Sequence, residues 1–345
     1  MNYGWISSLT LFFVSAFSVG LITPVMRKIA LRFSILDSPS EAHKTHGKAT
    51  PYLGGVAIII SVVAVSILAA FLSSTPLLSS KTLGLVLIPA FAMGVVGLID
   101  DVRKLSPWPR FLAQNLVGLF ISTILVTTKT VGSPTGSEIL DFLISILWIV
   151  GLTNAVNFFD NIDGGASGTI GISSFFLGVL ALQGGQYAIS ALSFVLAGST
   201  FGFLFWNRPP ARIYMGDAGA LFLGLLIASL TLRFDPNPLN RWASFAVPFF
   251  LLAMPVMDTS VAVVSRILRQ KSPFEGGRDH LSHRLMKLGF DKRQAVVSLW
   301  LLSTFFSLIA FALSQMKYAL EGLLSLAGLT FWLFLAAWFF KKKTL

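Results

Sequence analysis

The chain contains no cysteine, which excludes disulfides, thiolate metal sites and cysteine nucleophiles. Charge is also scarce: 12% of its 345 residues are charged, against roughly 25% in a soluble globular chain. No polar stretch is long enough for a separate soluble domain. No internal repeat or low-complexity tract is visible, so an inverted-repeat transporter gains no support. Acids are outnumbered, 15 against 26 Lys and Arg, for a net charge of +11. Those basic residues lie beside apolar runs rather than along one soluble face. Nucleic acid is therefore not the expected partner; anionic lipid heads and phosphorylated substrates are.

What the chain has in abundance is hydrocarbon, with 54% hydrophobic residues. A bilayer core about 30 Å thick takes about 20 apolar residues per helix, and about eleven such runs fit. They cover residues 4–26, 53–73, 82–99, 110–128, 138–156, 168–184, 186–206, 217–233, 243–265, 294–314 and 321–340. The expected fold is an all-α polytopic integral membrane protein, with 1–345 forming one membrane-embedded unit. The first run has no Lys or Arg before Arg27, so it reads as a retained helix with an outer N-terminus rather than a cleaved signal. On that orientation only Lys81, Lys129, Arg233, Arg241 and Lys317 fall outside, and the terminal Lys341, Lys342 and Lys343 fall inside. The bias obeys the positive-inside rule and requires an odd number of spans.

Five inner segments carry nearly all the polar chemistry. In "HKTHGKATPYLGG", residues 43–55, Lys44, His46 and Lys48 offer donors to an anion, although a basic loop without a ligand would look the same. In "GLIDDVRKLSPWPR", residues 97–110, Asp100 and Asp101 end an apolar span. Acids there oppose the negative end of the helix dipole and raise each other's pKa unless a cation compensates. In "NAVNFFDNIDGG", residues 154–165, Asp160 and Asp163 share a face if the segment is helical, with Asn154 and Asn157 on a similar face earlier. Polar groups this close to hydrocarbon are expensive and default to function. In "NRPPARIYMGDAGA", residues 207–220, Asp217 suits a helix N-cap or a metal ligand. The basic loop from Arg266 to Arg293 contains "GGRDHLSHRL", whose Arg278, His280, His283 and Arg284 can face one side of a short helix and grip a diphosphate. Asp258, roughly 12 Å deep along its helix, needs a partner.

In this order and on this side, the five segments resemble the polyprenyl-phosphate N-acetylhexosamine-1-phosphate transferases. That family includes the phospho-N-acetylmuramoyl-pentapeptide and undecaprenyl-phosphate N-acetylglucosamine-1-phosphate transferases. The resemblance implies a helical fold with a cytoplasmic cleft, usually dimeric, in a bacterial-type cytoplasmic membrane. It makes Asp100, Asp101, Asp160 and Asp163 the catalytic acids and makes Asp217, with Asp100 and Asp101, the holders of Mg²⁺, for which Mn²⁺ can substitute. His46, Lys48, Asn154, Asn157, Arg278, His280, His283 and Arg284 become substrate-binding residues, and Gln114 falls at its expected place. His280 and His283 are separated by Leu281 and Ser282 rather than consecutive, which favours the N-acetylglucosamine branch. Arg110 stands where many members carry Lys, and Gly165 where Leu is usual.

The implied reaction moves a sugar-1-phosphate from a UDP-N-acetylhexosamine to undecaprenyl phosphate, releasing UMP. An intramembrane prenyltransferase also uses paired Asp motifs with Mg²⁺, but does not require the later Gly-Asp or the His loop. An ion-coupled transporter would carry acids near the midplane, whereas these cluster at one face.

Overall fold

The structure is a computed structural model that describes residues 4–37, 50–72, 80–236, 241–273, 277–316 and 319–342. Of the expected site residues, His46 and Lys48 lie outside these. Among the described residues the regular structure is helical apart from a two-residue pairing of β1 (Leu36–Asp37) with β2 (Thr50–Pro51). Among the described residues ten helices are long and apolar enough to cross a membrane. They are α1 (Trp5–Arg32), α2 (Gly54–Leu72), α3 (Ser80–Arg103), α4 (Pro107–Thr127), α5 (Glu138–Phe159), α6 (Gly165–Gln183), α7 (Tyr187–Asn207), α8 (Gly216–Arg233), α12 (Lys292–Gln315) and α13 (Ala319–Lys341). Between α8 and α12 lie α9 (Arg241–Leu251), α10 (Ala253–Leu268) and the short α11 (Leu281–Lys287).

The span expected at 243–265 is not continuous. It breaks between α9 and α10 with a 75° bend, and counted as one broken span it is the eleventh. The cause is local. Pro255 lies in the first turn of α10 and has no N–H for the carbonyl of Leu251, four residues back. The freed carbonyl accepts instead from the Ser173 hydroxyl of α6 at 2.5 Å. The Ala253 carbonyl, at the start of α10, accepts from the Trp332 indole of α13 at 3.0 Å. Inside hydrocarbon a broken helix persists only when neighbours satisfy its backbone in this way.

α8 is the centre of the bundle. Nearly every residue from Gly216 to Thr231 is buried, and it packs on α3, α5 and α2. The outer helices instead present Phe13, Phe17, Leu147 and Leu301 outward, as a lipid-facing surface requires. Tight crossing depends on glycine at one point in particular: a Cβ on Gly97 of α3 would lie 2.3 Å from the Asp217 carbonyl of α8. Gly97→Val should therefore push α3 from α8 and lower the thermal midpoint of the detergent-purified protein well below that of an outward-facing control such as Leu147→Val. An unchanged midpoint would show that the crossing tolerates a side chain there.

Candidate active site

The site forms where the inner end of α3 meets the start of α8. Asp100 and Asp101 sit in the last turn of α3, but their carboxylates diverge. Asp101 accepts the backbone N–H groups of Asp217 at 2.8 Å and Ala218 at 3.0 Å. It thus caps α8 from another helix, and its charge meets the positive end of the α8 dipole. This resolves the apparent dipole mismatch at the end of α3. Gly216 makes room for it: the residue has φ +72°, and a Cβ there would lie 2.6 Å from an Asp101 oxygen. Asp100 accepts from the Leu105 N–H and the Arg110 guanidinium, both at 2.6 Å.

Arg110 also reaches Asp217 at 2.5 Å, so one guanidinium bridges the two acids. The other Asp217 oxygen accepts from the Asn157 amide at 2.7 Å. One turn earlier on α5, Asn154 donates to the Gln114 side chain of α4 at 2.6 Å. Asp217 is thereby presented between α4 and α5 at the mouth of α8, and does not cap its own helix.

The expected shared helical face of Asp160 and Asp163 does not form. α5 stops at Phe159, where Asn161 turns its amide onto the Phe158 carbonyl at 2.7 Å and Gly164 takes φ +74°. Asp163 lies in that turn and accepts from the Ala211 N–H at 3.0 Å, which pins the α7–α8 loop. Asn207 ties the same two segments together. Its side-chain oxygen accepts from the Gly164 N–H and the Ser167 hydroxyl, and its amide donates to the Ile213 carbonyl. The Asp160 carboxylate has no hydrogen-bonding or ionic partner among the described residues. Burial, and then the charges of Asp217, Asp163 and Asp101, hold its carboxyl well above the usual carboxylate range.

The basic loop behaves differently from the sequence expectation. Arg284 does not face a diphosphate. It is fully buried, donates to the carbonyls of Phe339, Phe340 and Lys342 at the end of α13, and also contacts the Ser265 hydroxyl. A guanidinium is the side chain best able to serve several orphan carbonyls at a helix C-terminus. His280 is buried too. Its Nδ1 lies 2.7 Å from Asp258, and Arg266 donates to its Nε2 at 3.2 Å. Because arginine only donates, the ring hydrogen lies on Nδ1 and points at Asp258. The other Asp258 oxygen accepts from the Leu281 N–H at 2.7 Å, so this deep acid has two partners. Arg266 and Arg269 both pair with Asp279, and these contacts outweigh burial to hold its carboxyl below the usual range.

The loop meets the end of α5 where Ser282 donates to Asn161 and where the Phe158 ring centre lies 5.6 Å from the Arg266 guanidinium and 6.2 Å from the His280 ring centre. The sequence reading missed Asn161, Ser282, Asn207, Arg266 and Asp279 as connectors. Their only sequence signal was position inside, or for Arg266 at the boundary of, the five segments already named. His283 is partly buried beside the ring of His280. Burial, together with the Arg278 cation, pushes its pKa down to about 4. Its unfolded value is about 6.5. Between these values the unfolded chain takes up the proton first, so stability is full above pH about 6.5 and falls as pH drops toward 4. His283→Gln should flatten the difference between thermal midpoints at pH 7 and pH 5. An unchanged difference would place that pH sensitivity elsewhere.

Among the described residues no three His, Asp or Glu side chains already converge as a metal cage. Mg²⁺ does not need one, since it is commonly held by one or two carboxylates together with substrate phosphates. The unpartnered Asp160, within the field of Asp217, is the observation that fits a hard divalent cation. The donors are all oxygen, which suits Mg²⁺ or Mn²⁺ rather than a soft metal.

Fold and site together define a multi-pass membrane protein whose acids, amides and guanidinium groups gather at one end of a helical bundle. A glycosyl transferase family 4 profile matches residues 83–235, the span from α3 to the end of α8. A probable undecaprenyl-phosphate N-acetylglucosaminyl 1-phosphate transferase of Bacillus subtilis is 36% identical over 88% of this chain and 84% of its own length. A decaprenyl-phosphate N-acetylglucosaminephosphotransferase of Mycolicibacterium smegmatis is 32% identical over 85% of this chain and 78% of its own. A phospho-N-acetylmuramoyl-pentapeptide-transferase of Caldicellulosiruptor bescii is 29% identical over 81% and 88%. The chain belongs to glycosyl transferase family 4, among its polyprenyl-phosphate sugar-1-phosphate transferases.

Proposed function

We propose that the chain transfers N-acetylglucosamine-1-phosphate from UDP-N-acetylglucosamine to undecaprenyl phosphate, releasing UMP and starting a lipid-linked cell-envelope glycan. The observation that carries this reading is Asp217, bonded to Arg110 and Asn157 and flanked by the unpaired Asp160. The activity named for the Bacillus subtilis relative supports it. The second reading is transfer of phospho-N-acetylmuramoyl-pentapeptide, the activity named for the Caldicellulosiruptor bescii relative. The site is assigned to the cytoplasmic face of a bacterial inner membrane, with the N-terminus outside, because the basic loops gather at that end. A homodimer belongs to the same proposal, on the family resemblance.

In the reaction an oxygen of the lipid phosphate attacks the sugar-bearing phosphorus of the UDP-sugar. One P–O bond forms while the bond to the bridging oxygen breaks, and that oxygen leaves on UMP. The phosphomonoester, with a second pKa near 6, is largely dianionic at pH 7 and needs no protein nucleophile. Two anions must meet, so charge is the main obstacle. Arg110 supplies a guanidinium where the phosphates converge. Asn157 holds the Asp217 carboxylate in one orientation. The Asp160 carboxylate, which has no other partner among the described residues, is assigned to take any proton left on the lipid phosphate.

Asp217 and Asp160, with Asp100 adjacent, would hold Mg²⁺ or its substitute Mn²⁺, which would supply positive charge to neutralise the diphosphate. Asp101 holds the α8 N-terminus in place through the backbone N–H groups of Asp217 and Ala218. Asp163 anchors the α7–α8 loop, Asn154 braces α5 against α4, and His280 orders the basic loop. His46 and Lys48 are assigned to the lipid head, and Arg278 and His283 to the nucleotide-sugar. Charge reversal by Arg278→Glu should raise the KM for the nucleotide-sugar at least tenfold with little change in kcat; an unchanged KM would remove Arg278 from that site.

The reading is tested by incubating purified protein with undecaprenyl phosphate, Mg²⁺ and a panel of UDP-N-acetylhexosamines and following the lipid product by mass. Product from UDP-N-acetylglucosamine supports it; product only from UDP-N-acetylmuramoyl-pentapeptide would favour the second reading.

A further inference from the structure

On the far side of the loop pinned by Asp163 lies a cavity of about 480 Å³ between the inner ends of α7 and α12. Arg208, Arg212 and Arg293 line it, together with Trp206 and Trp300. No carboxylate lines it, and none pairs with these three arginines among the described residues. Each guanidinium is positioned rather than loose. Arg208 lies 5.2 Å from the Phe205 ring centre, Arg212 lies 5.8 Å from that of Trp206, and Arg293 donates to the Pro209 carbonyl at 3.3 Å. The positive-inside rule accounts for the side on which these residues lie, but not for three of them converging on one cavity.

The remaining lining identifies the occupant. Phe205 is 56% exposed and Val297 43%, and Leu301, one turn further along α12, is 66% exposed. The cavity therefore has guanidinium groups at its rim and hydrocarbon along its open side, where α7 and α12 face the membrane. A soluble phosphate ester would leave that apolar wall wet. A lipid would cover it while its phosphate met two or three arginines.

We infer that this cavity is a binding site for an anionic phospholipid, with the head phosphate held by Arg208, Arg212 and Arg293 and the first part of an acyl chain lying along Phe205, Val297 and Leu301. The site is distinct from the acid cluster. Trp300, which forms part of its wall, donates to the Gly164 carbonyl directly behind it at 3.0 Å.

The test is native mass spectrometry of the detergent-purified protein titrated with phosphatidylglycerol or phosphatidylcholine, with and without excess inorganic phosphate. The wild type should retain phosphatidylglycerol selectively over phosphatidylcholine. The triple variant Arg208→Gln, Arg212→Gln, Arg293→Gln should bind it on the order of 100-fold more weakly. Equal retention by wild type and variant would overturn the inference. So would complete displacement of the lipid by inorganic phosphate, since the site would then read free phosphate. Should the variant fold poorly, a photoactivatable phosphatidylglycerol added to the wild type should label peptides covering 205–212 and 293–301. Labelling confined to other segments would overturn the inference without any variant.

Discussion

Asp217→Asn is expected to reduce sugar-phosphate transfer by about 10³-fold or more while leaving the protein folded. The substitution keeps the shape of the side chain but removes the charge that Arg110 neutralises and that a divalent cation would need. It also places an amide opposite the Asn157 amide or the Arg110 guanidinium, so one donor loses its acceptor. Folding should survive because the start of α8 is held by Asp101 through backbone N–H groups, not by Asp217. Turnover rates at saturating substrates, with thermal midpoints as the folding control, check this. Wild-type turnover in the variant would remove Asp217 from the chemistry.

The second large effect is on stability. Asp258→Ala leaves the Leu281 N–H and the His280 Nδ1–H without acceptors in a fully buried place. Each orphaned buried donor costs about 1–3 kcal/mol, so the loss should reach about 2–6 kcal/mol. The basic loop should loosen first, because Asp258 holds the start of α11 and, through His280, Arg266. Hydrogen exchange over residues 277–287 measures this directly. Protection equal to wild type would show that Arg266, Arg269 and Asp279 hold the loop unaided.

These two acids mark how far sequence reading went. The number and order of the spans, and the gathering of acids, amides and basic groups at one end, were legible because hydrocarbon makes polar residues rare and their positions informative. Asp217 was legible as a cap or a ligand, but not the fact that Asp101 does the capping. That requires α3 and α8 to cross at Gly97, a contact between residues more than 100 positions apart. Arg284 was misread because a basic side chain in a loop looks the same whether it meets substrate or the carbonyls of a distant helix. Only the packing of α11 under the end of α13 decides. The break at Leu252 was hidden in a continuous apolar run, although Pro255 carried the signal. Asp258 was recognised as needing a partner, and its partner, His280, was assigned instead to the substrate.

The central claim is that this site joins two phosphates with loss of UMP. The measurement that tests it most directly is UMP release by the purified chain from UDP-N-acetylglucosamine with Mg²⁺, in the presence and absence of undecaprenyl phosphate. The account predicts release that depends on the lipid and is lost in Asp217→Asn. Equal release without the lipid, or none from folded protein with any UDP-N-acetylhexosamine, would contradict it.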